Sequence, residues 1–161
     1  MAASADRMRS RIRDVRIDLL YRGGTGIQFG MNNVTEARAY DIVVIMLGGN
    51  DIANGASIHN ITRRLEDLAN ALIRSVRHVI ITSIWPRQNR SFNSTAQQIT
   101  EYLLQRYRNH RDITFWTQDR RLSMALIDGT HLRPRAYQRA AMYILSPILW
   151  TIRNRLHPTR R

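Results

Sequence analysis

The strongest constraint in this 161-residue sequence is an alternation: short apolar, β-branched runs are separated by longer segments of helical period. Four runs read as strands buried on both faces: Arg16 to Tyr21, Asp41 to Leu47, His78 to Trp85 and Ile113 to Thr117. After Ser57, the residues Ile58, Ile61, Leu65, Leu68 and Leu72 step by three and four along one face of an amphipathic helix, with Arg63, Arg64, Glu66 and Asp67 facing away. Ile99, Leu103 and Tyr107 define a second helix over about Thr95 to Arg108. A third opens at Pro134, a residue suited to the first helical position, and carries Tyr137, Ala141, Ile144 and Ile148. Pro147 is expected to kink or interrupt it. Strands alternating with helices predict right-handed crossovers and an α/β fold whose parallel sheet is covered on both faces.

The chain is of single-domain length and able to bury roughly 70% of its unfolded surface, so residues 1–152 are read as one domain and 153–161 as a frayed basic tail. Cysteine is absent, which excludes disulfides, thiolate zinc sites and cysteine nucleophiles. No cofactor or metal is expected. The longest apolar run, Ile42 to Leu47, is too short to span a bilayer, and the N-terminus lacks the apolar stretch of a secretion signal. A soluble, intracellular protein is the expectation, while oligomeric state is not legible.

The formal net charge is +13, and every basic residue is arginine. Arginine binds phosphates and carboxylates through its planar fork, so an acidic partner, nucleic acid included, fits the charge. The arginines are spread along the whole chain, however, which equally describes a solvated surface.

In a parallel sheet of this kind, function collects at the carboxyl ends of the strands. The loops in question are Arg22 to Gly30, Gly48 to Ala56, Pro86 to Ser94, and whatever follows Thr117. The first contains Gly23-Gly24-Thr25-Gly26, whose backbone N–H groups could face a ligand or simply form a tight turn. Gly24-Thr25-Gly26 begins a dinucleotide fingerprint, but Phe29 occupies the place of its third glycine. The second loop sets Gly48-Gly49-Asn50-Asp51 directly after a buried strand. There an asparagine amide can donate to a developing oxyanion and an aspartate can brace the loop. A helix-initiating turn is the alternative, because both residues cap helices. Shortly before the last helix, Asp128-Gly129-Thr130-His131 places a carboxylate where it can fix an imidazole tautomer and leave Nε2 as a general base. The other histidines, at 59, 78, 110 and 157, have no such neighbour.

Gly-Gly-Asn-Asp ending a buried strand, with Asp-Gly-Thr-His-Leu before the C-terminal helix, resembles the SGNH (GDSL-type) hydrolases over nearly the whole chain. The resemblance is nearest to the short esterase-like domains of retroelement-type open reading frames, where Leu-Gly-Gly-Asn-Asp and a strand ending in Pro-Arg, here Trp85-Pro86-Arg87, also occur. It implies a flavodoxin-like, three-layer αβα sandwich and hydrolysis of a small ester or acyl substrate through an acyl-enzyme. Carried over by position, His131 is the base, Asp128 its orienter, and Asn50 the side-chain oxyanion donor. Gly26 or Gly24 supplies a backbone donor, and Gly49 and Asp51 support the site. The family's Gly-Asp-Ser has no counterpart, which leaves Ser4 as the positional candidate for nucleophile. The resemblance also calls for a strand before it that has no counterpart in this sequence, so a shortened or weakly active member is expected. The competing expectation is a non-catalytic, arginine-rich nucleic-acid-binding module.

Overall fold

The computed structural model describes residues 15–117 and 133–156. Among these residues, three strands, β1 (Ile42–Ile45), β2 (His78–Thr82) and β3 (Ile113–Trp116), form a parallel sheet in the order β1-β2-β3. Ile42 pairs with His78 and Val79 with Ile113. The helices are α1 (Ile27–Asn32), α2 (Val34–Ala37), α3 (Gly49–Ala53), α4 (Ile58–Ile73), α5 (Arg90–Tyr107) and α6 (Pro134–Thr151), the last running into a π-helix (Ile152–Leu156). Sequential strand order with crossovers of one hand places α4 and α5 on the same face of the sheet.

Strand periodicity then divides the side chains. Ile45, Val79, Ile81, Ile113 and Phe115 point into one core with Ile61, Leu65, Leu68 and Leu72 of α4 and Ile99, Leu103 and Tyr107 of α5. The opposite face of β2 meets α6, which buries Ala136, Ala140, Leu145 and Ile148. Helices therefore cover both faces, giving the expected layered α/β architecture. No helix among the described residues is long and apolar enough to cross a membrane.

Several boundaries differ from the sequence expectation for local reasons. Arg16 to Tyr21 is not a strand, and Leu19, Leu20 and Tyr21 are exposed. Its β-branched, apolar character suits a buried ladder, but that propensity acts only where a neighbouring strand supplies hydrogen bonds and cover. Helix α4 begins as expected at Ser57, whose hydroxyl accepts from the Asn60 N–H at 3.2 Å. Helix α5 begins earlier than expected because Asn89 caps it, accepting from the Phe92 N–H at 2.9 Å. Helix α6 runs through Pro147 to Thr151, and the π-helix takes in the first four residues of the segment read as a tail. Its buried face includes Ala136, Ala140 and Leu145 rather than Ala141 and Ile144, which are only half-buried.

His78 opens β2 on the α6 side, buried, with Nε2 2.8 Å from the Thr114 hydroxyl. Burial, reinforced by the Arg155 guanidinium, pushes its pKa down from 6.5 to about 4. The imidazole therefore stays neutral in the folded protein where the unfolded chain takes up a proton. Stability should be unaffected by this group above about pH 7 and should fall as pH drops from 6.5 towards 4, losing about 2 kcal/mol by pH 5. Denaturant midpoints at pH 7 and pH 5 measure this, and His78→Gln should remove most of the difference. An equal acid loss in that variant would assign the effect elsewhere.

Candidate active site

The glycine loop and the Gly-Gly-Asn-Asp turn meet at the carboxyl end of β1. At the end of β1 the chain reverses through Gly48, whose φ of +111° belongs to the left-handed region that favours glycine. A Cβ there would also lie 2.9 Å from the Ile84 side chain. This turn starts α3, which carries Gly49, Asn50 and Asp51 on its first turn.

Asp51 is buried and joins three elements. Its Oδ2 accepts from the Ile27 N–H at 2.9 Å, which satisfies a donor at the start of α1 that no side chain of the local cap reaches. Its Oδ1 accepts from Arg64 Nη1 at 3.1 Å, and Arg64 Nη2 donates to Gln28 Oε1 at 3.1 Å. The carboxylate packs so closely against the glycine loop that a Cβ on Gly26 would collide with both of its oxygens. Gly26 is thus required by this contact. Gly24, with φ of +73°, makes the preceding turn, where the Thr25 hydroxyl donates to the Arg22 carbonyl at 2.7 Å.

Asn50 is held at both ends of its amide. Nδ2 donates to the Thr25 carbonyl at 2.8 Å, and Oδ1 accepts from Arg87 Nη2 at 3.1 Å. An amide nitrogen carries two hydrogens, so Thr25 uses one of them. The structure therefore brings Gly24, Gly26, Gly49, Asn50 and Asp51 together. Ser4, Asp128 and His131 lie outside the described residues.

Two residues absent from the sequence-derived site belong to this cluster. Arg64 is one of four α4 residues expected to face away, but it turns onto the Asp51 carboxylate. Glu66 likewise approaches a neighbour, Arg106 of α5, at 3.6 Å, leaving only Arg63 and Asp67 as a surface pair. A carboxylate so placed that it is buried calls for a cation, and that is the available signal for Arg64. Arg87 was visible within Trp85-Pro86-Arg87, but spacing could not show where its side chain goes. Among the described residues, no three His, Asp or Glu side chains gather closely enough to hold a metal ion.

A parallel α/β layer with a glycine loop, an asparagine and a bracing aspartate gathered at the carboxyl end of a strand defines a layered α/β protein whose candidate site lies where ligands bind in such sheets. The chain belongs to the GDSL-like lipase/acylhydrolase family, whose model matches residues 4–144. No curated protein sequence matches it significantly. Among solved structures, it is similar to a protein of Bacteroides fragilis NCTC 9343 assigned as an acylhydrolase, with 20% identity and a TM-score of 0.66 over 81% of this chain and 73% of that one. It is also similar to a carbohydrate esterase family 3 protein from Talaromyces cellulolyticus, with 20% identity and a TM-score of 0.64 over 88% and 77% of the two chains. A serine-to-alanine mutant of the esterase AlinE4 matches at 17% identity and a TM-score of 0.56, over 94% and 85%. At these identities the structural likeness is one of fold.

Proposed function

We propose that the protein is a metal-free serine esterase that cleaves small carboxylic or acyl esters through an acyl-enzyme. The observation that carries the reading is the Asn50 amide, fixed between the Thr25 carbonyl and Arg87 beside the glycine turn. Such rigid placement of a donor is what oxyanion stabilisation requires, because a preorganised dipole need not reorient as charge develops. Ser4, Asp128 and His131 all lie within the family match, and the roles given to them follow from the sequence resemblance. In this mechanism Ser4 attacks the ester carbonyl while His131 takes its proton, and Asp128 holds the imidazole in the required tautomer. The second N–H of Asn50 and the Gly26 N–H receive the oxyanion. Collapse expels the alcohol, protonated by His131, and water then repeats the sequence on the acyl-serine.

Hydrolysis of 4-nitrophenyl acetate and butyrate tests the reading directly. Asn50→Ala should lower kcat by about 10²- to 10³-fold with a smaller effect on KM, because the donor acts mainly on the transition state. Turnover in the parent protein no faster than in the variant would remove the esterase reading, leaving the fold and family membership as they are.

A further inference from the structure

Arg87 has a geometry that bracing Asn50 does not account for. Its backbone is locked by a reciprocal pair: the Arg87 N–H donates to Asn93 Oδ1 at 2.9 Å, and Asn93 Nδ2 donates to the Arg87 carbonyl at 2.7 Å. Its guanidinium lies 4.7 Å from the centre of the buried Phe92 ring, a cation–π contact that holds the head group near Asn50. Nη2 sits 3.6 Å from where a Cβ on Gly49 would stand, so the fork lies beside the Gly49 backbone at ordinary van der Waals distance. The side chain is half-buried, yet among the described residues it has no carboxylate partner. Of its five N–H groups, only the one directed at Asn50 Oδ1 has an acceptor among those residues. Arg64, the other guanidinium of the cluster, is by contrast engaged by Asp51 and Gln28.

We infer that Arg87 is a specificity-determining residue that receives a carboxylate carried by the substrate, so that the preferred ester is an anionic one with its negative charge a few bonds from the scissile carbonyl. Among the described residues, several N–H groups of this planar, held fork remain for a planar carboxylate, which accepts two parallel N–H bonds. The position beside Asn50 places that charge next to the reacting carbonyl rather than on the general protein surface. Partial burial makes the pairing stronger than the same contact with an exposed arginine.

This inference rests on the esterase reading, and the experiment separates the two. Values of kcat/KM are measured for 4-nitrophenyl butyrate and for its carboxylate-bearing counterpart, mono-4-nitrophenyl succinate, at fixed ionic strength. The proteins are the parent, Arg87→Met, Arg87→Lys and Arg63→Met, the last removing an exposed arginine of α4 as a control for overall positive charge. The parent should favour the anionic ester by about tenfold or more, the advantage expected of one well-formed charged pair. Arg87→Met should bring the ratio close to one, Arg87→Lys should restore part of it, and Arg63→Met should keep the parent ratio. General damage to the site would lower both substrates alike and leave the ratio intact, which would overturn the role given to Arg87. An equal fall of the ratio in Arg63→Met would also overturn it. If neither ester is turned over, the esterase reading fails. Titration with monomethyl succinate and methyl butyrate, followed by NMR, then decides the Arg87 assignment. Binding selective for the anion and lost in Arg87→Met upholds it, and equal binding in all variants refutes it.

Discussion

His131→Ala is expected to reduce ester hydrolysis by about 10⁴-fold or more. The size follows from what an imidazole does in an acyl transfer: without it the serine hydroxyl keeps its proton and the alkoxide leaving group gains none. Asp128 lies three residues ahead of His131, with Gly129-Thr130 between them, a spacing that lets the carboxylate reach Nδ1–H. Groups that act as one unit are strongly non-additive, so Ser4→Ala with His131→Ala should be hardly worse than either alone. That pattern distinguishes a triad from three residues that merely help the fold. Steady-state rates on an activated ester, with circular dichroism to show that each variant remains folded, provide the measurement. A His131→Ala protein that works at the parent rate, or a double variant whose losses multiply, would dissolve the proposed triad.

Asp51→Ala should be the most destabilising single change around the site, at about 3 kcal/mol. Three consequences combine. The Ile27 N–H loses its acceptor within a buried environment, Arg64 loses its counter-ion, and the glycine loop loses the carboxylate against which Gly26 packs. Because Arg64 is about 30% exposed, water recovers part of the second loss, which keeps the total below the upper range for fully buried pairs. For a domain of this size, that corresponds to a fall in Tm of about 6–12 °C. Asp51→Asn, which retains an acceptor of the same shape but no charge, should cost clearly less. Thermal and denaturant unfolding report the global effect, and amide exchange at Ile27 should accelerate in Asp51→Ala before the core opens. A shift of less than about 0.5 kcal/mol, the range of ordinary surface substitutions, would show that the loop is held by other contacts.

Legibility differed between elements for physical reasons that can be named. The three-residue and four-residue steps of Ile61, Leu65, Leu68 and Leu72 translate directly into the buried face of α4, because a helix with a single apolar stripe has one way to dry it. The β-branched run at His78 to Thr82 is buried at every position, as a central parallel strand requires. Arg16 to Tyr21 has a similar composition and no strand, since pairing depends on a neighbour that composition does not reveal. On α6 the buried face lies partly on other residues than expected: alanines at 136 and 140 carry little hydrophobic signal, and close approach to β2 favours their small size. The short helix α1 begins in a segment read as a loop and runs two residues past its end, and α3 lies within another. At six and five residues they are stabilised by tertiary contacts, such as the Asp51 carboxylate at the start of α1, rather than by propensity.

The sequence by itself determined the layered α/β class, the order of the strand loops, and the identity of Asn50 and Asp51 as polar residues delivered at the end of a buried strand. Those features are set by periodicity and by glycine conformations, both of which act over a few residues. Only the tertiary structure decided which groups meet: Asp51 with Ile27 and Arg64, and Asn50 with Thr25 and Arg87, across separations of 13 to 37 residues. Hydrogen bonds of that reach depend on the packing of α4 and on the path of the loop after β2. Local propensity has no hold on either, because the chain entropy of closing such loops is overcome by the core and not by the polar residues that the core brings together.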